Sequence, residues 1–208
     1  MIPVNESRFY RVSKRCIDLI IAGVGLIMLS PVFLIIGFLI KLDDSQTSIF
    51  FSQERLGKDG KSFNMYKFRS MVPNAEALKH SLLANNEVTG PVFKMKKDPR
   101  ITKIGKFIRK TSIDELPQLI NVLKGEMSLV GPRPPLPDEV LKYSSYQMQR
   151  LKVVPGLTCY WQISGRSDLD FEEWVYLDLK YISERNLLID LKLIVRTVVV
   201  LCGSNGAY

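Results

Sequence analysis

The sequence predicts an α/β fold (α+β, leaning helical) in which a membrane hairpin is joined to a domain lying outside the bilayer, with amphipathic helices at the interface. Three observations carry this prediction. From Leu19 to Ile40 there is no charged residue, yet Ser30-Pro31 falls in the middle of the run. Residues 48 to 71 read as two strands around a turn, and the later apolar residues recur mostly at helical spacing.

Residues 1–16 carry Arg8, Arg11, Lys14 and Arg15 among Phe9, Tyr10 and Val12, the pattern of a basic lead-in to a membrane interface. Residues 17–42 follow as the membrane segment, long enough to cross a bilayer core as a straight helix. Proline at 31 removes a helical hydrogen bond and predicts a bend. Lys41, Arg55, Lys58, Lys61 and Lys67 make the far flank basic too, so both flanks favour the cytoplasmic side. A re-entrant helix-break-helix at Ser30 and Pro31 satisfies both observations. A proline-kinked span is the simpler alternative.

Residues 43–208 form the portion outside the bilayer, and with no linker dividing it the chain reads as one domain over 1–208. Lys58-Asp59-Gly60 predicts the turn between the two strands. Ideal alternation puts Phe63, Met65, Lys67 and Arg69 on one face of the second, so that the two cations project together. Asn74 to Ala84 has helical character, within a polar stretch from 73 to 97 that reads as a flap. Leu116, Leu119, Ile120 and Leu123 are spaced for one helix face, and Gly125 suits the position after its end. Pro117 is tolerable only in the first turn, which places the helix start close to Asp114.

Gly131-Pro-Arg133-Pro-Pro predicts a rigid loop presenting one arginine, and Pro137 to Val153 a helix. Around Pro155 to Ser167, Tyr160, Trp161 and Arg166 suit either a nucleobase and phosphate or ordinary core packing. Phe171 to Ser183 predicts an amphipathic helix. A last helix, about 187–202, is strongly apolar but interrupted by Asp190, Lys192 and Arg196, which suits an interfacial or a buried position.

A net charge of +8 calls for an anionic partner: nucleic acid, an anionic membrane or a phosphorylated small molecule. No helix-turn-helix or RNP-like pattern supports nucleic acid. The three cysteines lack any framework or zinc spacing, and the single histidine, His80, stands alone in a polar stretch. Acid-base work therefore falls to carboxylates. The strongest candidates are Asp114 and Glu115, with Arg100, Lys103, Lys106, Arg109 and Lys110 upstream. Such a pair suits phosphate chemistry assisted by a divalent cation. Equally, Ser112 and Glu115 fit a capping box, the purely structural alternative.

Taken together, these segments resemble the bacterial sugar transferase family, monotopic phosphoglycosyl transferases that start glycan assembly on a polyprenol carrier. The resemblance runs from about residue 13 onward. Its motifs are Lys14-Arg15-x-x-Asp18, Ser30-Pro31, Gln53-Glu54-Arg55-x-Gly57, Tyr66-Lys67-Phe68-Arg69-Ser70-Met71 and Asp98-Pro99-Arg100-Ile-Thr102. They continue with Arg109-Lys-Thr-Ser-Ile-Asp114-Glu115-Leu-Pro117-Gln118, Asn121-Val122, Gly125-x-Met-Ser-Leu-Val-Gly131-Pro132-Arg133-Pro134 and Pro155-Gly156-Leu-Thr. Cys159 departs from the glycine common after that last motif. The long amino-terminal membrane region of some relatives is absent, which points to the short form.

The resemblance implies an enzyme anchored in one leaflet of the bacterial inner (plasma) membrane, with its catalytic domain on the cytoplasmic face. Its Asp attacks the sugar-linked phosphate of a UDP-sugar and releases UMP. Polyprenol (undecaprenyl) phosphate then displaces the covalent phosphosugar, starting exopolysaccharide, capsule or O-antigen-type assembly. By matching motif, Asp114 is the nucleophile, Glu115 its partner, and Mg2+ sits by this pair. Arg109 and Arg133 match residues placed for the diphosphate, Lys67 and Arg69 its basic strand, and Arg166 and Asp190 substrate positions in weaker motifs. Thr89-Gly-Pro-Val-Phe-Lys94 resembles relatives using galactose or glucose. A basic nucleic-acid-binding module and an adaptor without catalysis are the alternatives from other classes. Nothing in the sequence selects an oligomeric state.

Overall fold

A computed structural model describes residues 2–87, 90–93, 95, 97–164 and 169–202. Two helices open it, α1 (Arg8–Met28) and α2 (Ser30–Asp43), bent by 58° at their junction. Pro31 stands in the first turn of α2, where its missing N–H has no acceptor to lose, and the Ser30 hydroxyl donates back to the Ile27 carbonyl at 2.8 Å. The expected break is therefore a bend at Ser30 and Pro31. The basic lead-in is not a separate element, because α1 already begins at Arg8. Among the described residues no single helix is long and apolar enough to cross a membrane; the bent pair α1 and α2 reaches that mark by length and composition only.

Polar side chains of α1 fasten it to the rest of the chain. The Arg15 guanidinium donates to the carbonyls of Val122 and Leu123 at 2.6 and 2.8 Å, Asp18 accepts from the Leu129 N–H at 3.0 Å, and Lys14 pairs with Asp190 at 3.0 Å. The outer side of the pair stays apolar and exposed, with Ile20, Val24, Ile27, Met28, Leu34, Ile35 and Phe38 uncovered.

Strands β1 (Phe50–Leu56) and β2 (Ser62–Phe68) form an antiparallel pair in which Gln53 faces Met65. Asp59 and Gly60 turn the chain at φ 56° and 75°, as the Asp-Gly pair predicts. Helix α3 (Ala75–Leu82) follows, then α4 (Lys103–Lys110), capped by the Thr102 hydroxyl, which accepts from the Gly105 N–H at 3.0 Å. Helix α5 (Gln118–Lys124) ends at Gly125, whose φ of 84° is the left-handed conformation expected there.

A short parallel pair, β3 (Ser128–Val130) and β4 (Gly156–Thr158), lies between α1 and the last helices. The helix expected over Pro137 to Val153 is instead α6 (Pro137–Val140) and a separate tight turn, Gln147–Lys152. The cause is a second start signal: Ser144 N–H donates to the Gln147 amide oxygen at 2.8 Å, and Gln147 N–H to the Ser144 hydroxyl at 3.3 Å, a reciprocal cap.

Three helices complete the fold: α7 (Tyr160–Ile163), α8 (Phe171–Glu184) and α9 (Leu187–Cys202). Trp161 stacks on Trp174 at 4.8 Å, so this aromatic segment takes the core-packing alternative. The main core gathers Met127, Val130, Val175, Leu179, Tyr181 and Leu193, and a second cluster joins Ile36, Ile40, Phe68 and Ile108. The chain is thus mixed helix and sheet, dominated by helix. Asp190 is buried, accepting from Tyr10 and Tyr181 hydroxyls at 2.9 and 2.7 Å as well as from Lys14, and so ties α1 to α8 and α9.

Candidate active site

The site is built where β2, α4 and α5 meet. Ser112 takes a left-handed φ of 57°, reversing the chain after α4, and Ile113–Glu115 forms one tight turn. The helix does not begin at Asp114, as the spacing predicts, but at Gln118. Pro117 supplies no N–H to close a helical bond back to residue 113, so the regular ladder starts after it. Nor does Ser112 cap this turn through its side chain, so the capping-box alternative is not realised.

Asn121 registers α5 against β2. Its buried amide accepts from the Tyr66 N–H at 3.0 Å and donates to the Asn64 carbonyl at 2.7 Å and to Glu126 at 2.6 Å. That register carries Lys67 to the carboxylates: its ammonium lies 2.7 Å from Glu115 and 4.0 Å from Asp114. Arg133 reaches Glu115 at 3.9 Å. Asp114 is only 6% exposed, and burial pushes its acid up to about 6. Lys67 opposes that rise, Glu115 adds to it, and Arg109 and Arg133 oppose it with smaller contributions.

Arg69 keeps the strand face expected of it, but its guanidinium is engaged beside the strand pair. Its N–H donates to the Ile49 carbonyl at 2.9 Å, which carries the β1–β2 register one pair beyond Phe50 and Phe68 and keeps Arg69 on the side of Lys67 and its partner Phe51, while Phe68 turns the other way into the second core cluster. Its guanidinium donates to the Ser48 carbonyl at 2.8 Å and lies over the Phe51 ring at 5.8 Å. Asp190 is likewise engaged elsewhere, since its hydrogen-bond partners are Tyr10, Lys14 and Tyr181 rather than any of these groups. Arg166, together with Thr89 and Lys94, lies outside the described residues.

The arginine-bearing loop is held from both sides by two further arginines that sequence reasoning did not assign to it. Arg55 on β1 donates to the Pro134 carbonyl at 3.1 Å, and Arg150 to the Arg133 carbonyl at 3.4 Å. Burial pushes the Arg55 guanidinium down to about 10, and the charge of Arg133 adds to that fall. Arg150 is itself fixed by buried Asp178 at 2.7 Å and by the Tyr143 hydroxyl at 2.7 Å. Close backbone approach does the rest: a side-chain carbon at Gly131 would collide with the Val154 carbonyl and one at Gly156 with the Gly131 backbone. Arg133 therefore projects from a loop whose own backbone has little freedom.

No cluster of three or more metal-ligating His, Cys, Asp or Glu side chains occurs among the described residues. Two adjacent carboxylates, one buried and one half-exposed, are the donor set that a magnesium ion shared with substrate phosphates requires, because Mg2+ keeps most of its shell from water and phosphate. The residues present fit such an ion.

Comparison with known proteins adds a consistent picture. A family model described as bacterial sugar transferase matches residues 9–204. The chain is 49% identical over 205 residues to the galactosyl transferase CpsE of Streptococcus agalactiae serotype III, covering 96% of itself and 45% of that protein. It is 42% identical over 208 residues to the undecaprenyl-phosphate galactose phosphotransferase of Salmonella typhimurium, covering 98% of itself and 43% of that protein. With the exopolysaccharide production protein ExoY of Sinorhizobium fredii it shares 41% identity over 201 residues, and here the match spans 95% and 88% of the two chains. The chain thus spans less than half the length of the first two and most of the third.

Proposed function

The chain belongs to the bacterial sugar transferase family, and from that premise we propose that it transfers a hexose-1-phosphate from a UDP-sugar to polyprenol phosphate, releasing UMP, as an initiating step of polysaccharide assembly. The observation that carries this reading is the buried carboxylate of Asp114 beside Glu115, with Lys67 and Arg133 converging on the same pair. Lys67 pairs closely with Glu115, which leaves the Asp114 oxygens the freer nucleophile. In the first step an Asp114 oxygen bonds to the sugar-linked phosphorus as the bond from that phosphorus to the bridging oxygen breaks, and UMP departs with the electron pair. In the second, an oxygen of polyprenol phosphate attacks the same phosphorus and returns the Asp114 carboxylate.

Arg133, Arg109 and Lys67 offset the negative charge that accumulates as carboxylate and diphosphate approach. Asp114 and Glu115 would hold Mg2+ together with the substrate phosphates, and that ion would supply further charge neutralisation there. Galactose and glucose are the favoured sugars, in line with the names of relatives such as the galactosyl transferase and the UDP-glucose:undecaprenyl-phosphate glucose-1-phosphate transferase of Escherichia coli. The test is mass spectrometry of protein quenched with UDP-galactose or UDP-glucose and Mg2+ before any lipid acceptor is added. A phosphohexose on the peptide containing Asp114 is expected. An adduct elsewhere, or UMP release that strictly requires the acceptor, counts against the two-step reaction.

The same reading makes the bent α1–α2 pair a re-entrant anchor, with the domain on the cytoplasmic face of the plasma membrane. Its support is the 58° bend, the exposed apolar outer side and the basic residues on both flanks. In a background freed of Cys16, Cys159 and Cys202, cysteines at Asn5 and Ser62 are expected to be labelled from the same side of the membrane. Labelling from opposite sides would sink the hairpin and restore the kinked span.

A further inference from the structure

Helix α4 has two faces of different chemistry. Ile104 and Ile108 pack into the cluster formed with Ile36 and Ile40 of α2. Lys103, Lys106, Phe107 and Lys110, spaced by three, four and seven residues, share the opposite and exposed face, where Phe107 is 51% uncovered. The helix contains no acidic residue, and no carboxylate among the described residues pairs with any of these three lysines. On its inner side this helix rests against α2, whose own outer side exposes Leu34, Ile35, Phe38 and Leu42.

We propose that the Lys103, Lys106, Phe107 and Lys110 face of α4 is a docking surface for anionic phospholipid headgroups, with the phenylalanine entering the headgroup layer. The proposal rests on the membrane reading of the α1–α2 pair and adds a lipid class to it. Its argument is charge complementarity and continuity: the face is cationic, and the helix bearing it packs directly on α2, the second arm of the apolar anchor. It also has a consequence for catalysis. The end of α4 leads through Thr111 and Ser112 straight into the turn carrying Asp114, so seating α4 on the lipid surface sets where that carboxylate stands.

The full chain, purified in detergent, is offered to phosphatidylcholine vesicles with and without phosphatidylglycerol, free of polyprenol phosphate, and partition is read by flotation. Wild type is expected to bind both and to gain with phosphatidylglycerol, by roughly fivefold per lysine engaged, the equivalent of about 1 kcal/mol each. That gain should fade in high salt. Combined Lys103→Gln, Lys106→Gln and Lys110→Gln should remove between roughly tenfold and a hundredfold of it while leaving the phosphatidylcholine binding in place. A charge-matched control, Lys97→Gln, Lys142→Gln and Lys180→Gln at other exposed positions, should keep it. Equal binding of wild type to both vesicles, full gain in the α4 variant, or equal loss in the control discards the α4 surface alone. Failure to bind either vesicle removes the membrane reading and this proposal together. A detergent-phase dimer that the α4 variant dissociates would assign the face to a second copy and overturn the lipid assignment.

Discussion

Asp114→Asn is expected to lose transfer activity by on the order of 10^4-fold or more while making the protein more stable at neutral pH. An amide cannot form the acyl phosphate, which accounts for the first effect. The second follows from burial. Asp114 titrates at about 6 rather than at its ordinary 3.8, so the folded state prefers its protonated form. The stability that this preference contributes is fully present below about 3.8 and is lost as pH rises through about 6. At pH 7.5 the wild type has lost it. The Asn variant, which does not ionise, escapes that loss and should gain about 1–3 kcal/mol, shrinking towards zero below pH 4.

The same titration gives a kinetic signature. In wild type, kcat/KM should fall as pH drops through about 6, because protonation removes the proposed nucleophile, and magnesium, if held at the pair as proposed, should shift that limb lower. Thermal melts across pH 4 to 8, with UMP-release rates for both proteins, measure all of this. A carboxylate without a chemical role predicts an active variant whatever the change in stability, and that outcome would remove Asp114 from the chemistry.

Legibility in the sequence followed sequence distance. The bend at Pro31, the Asp59-Gly60 turn, the cap after α5 and the course of α8 are written in neighbouring residues, and each appears where local chemistry puts it. Asp114, Glu115 and Lys67 were also legible as candidates, and the structure brings them together. What could not be read was pairing across the chain. Arg150 meets Asp178 across 28 residues, and Arg55 meets the Pro134 carbonyl across 79, so nothing in either segment announces the clamp on the arginine loop. Arg69 keeps the strand face that alternation gives it, yet its bond to the Ser48 carbonyl, 21 residues away, was equally unreadable. Ser112 is the remaining surprise, since a left-handed serine has no sequence signal as plain as glycine's.

Arg133→Ala is expected to reduce kcat/KM by roughly 10^2- to 10^3-fold, the scale seen when one preorganised charge-stabilising donor is removed. The loop that presents this side chain is held by contacts to its backbone carbonyls, from Arg55 to Pro134 and from Arg150 to Arg133 itself. Truncating the side chain leaves those bonds in place, and with a side chain 38% exposed the melting temperature should hardly move. Function and stability therefore separate at this residue. Arg133→Lys distinguishes charge from shape: it restores a cation near Glu115 but not the planar fork that matches two phosphate oxygens, so it should remain about tenfold or more below wild type. Near-complete recovery in the lysine variant would reduce the role of Arg133 to a point charge offsetting Glu115. Full activity in both variants, measured as UMP release under subsaturating UDP-sugar, would take the residue out of the site and leave Lys67 and Arg109 to meet the phosphate charge.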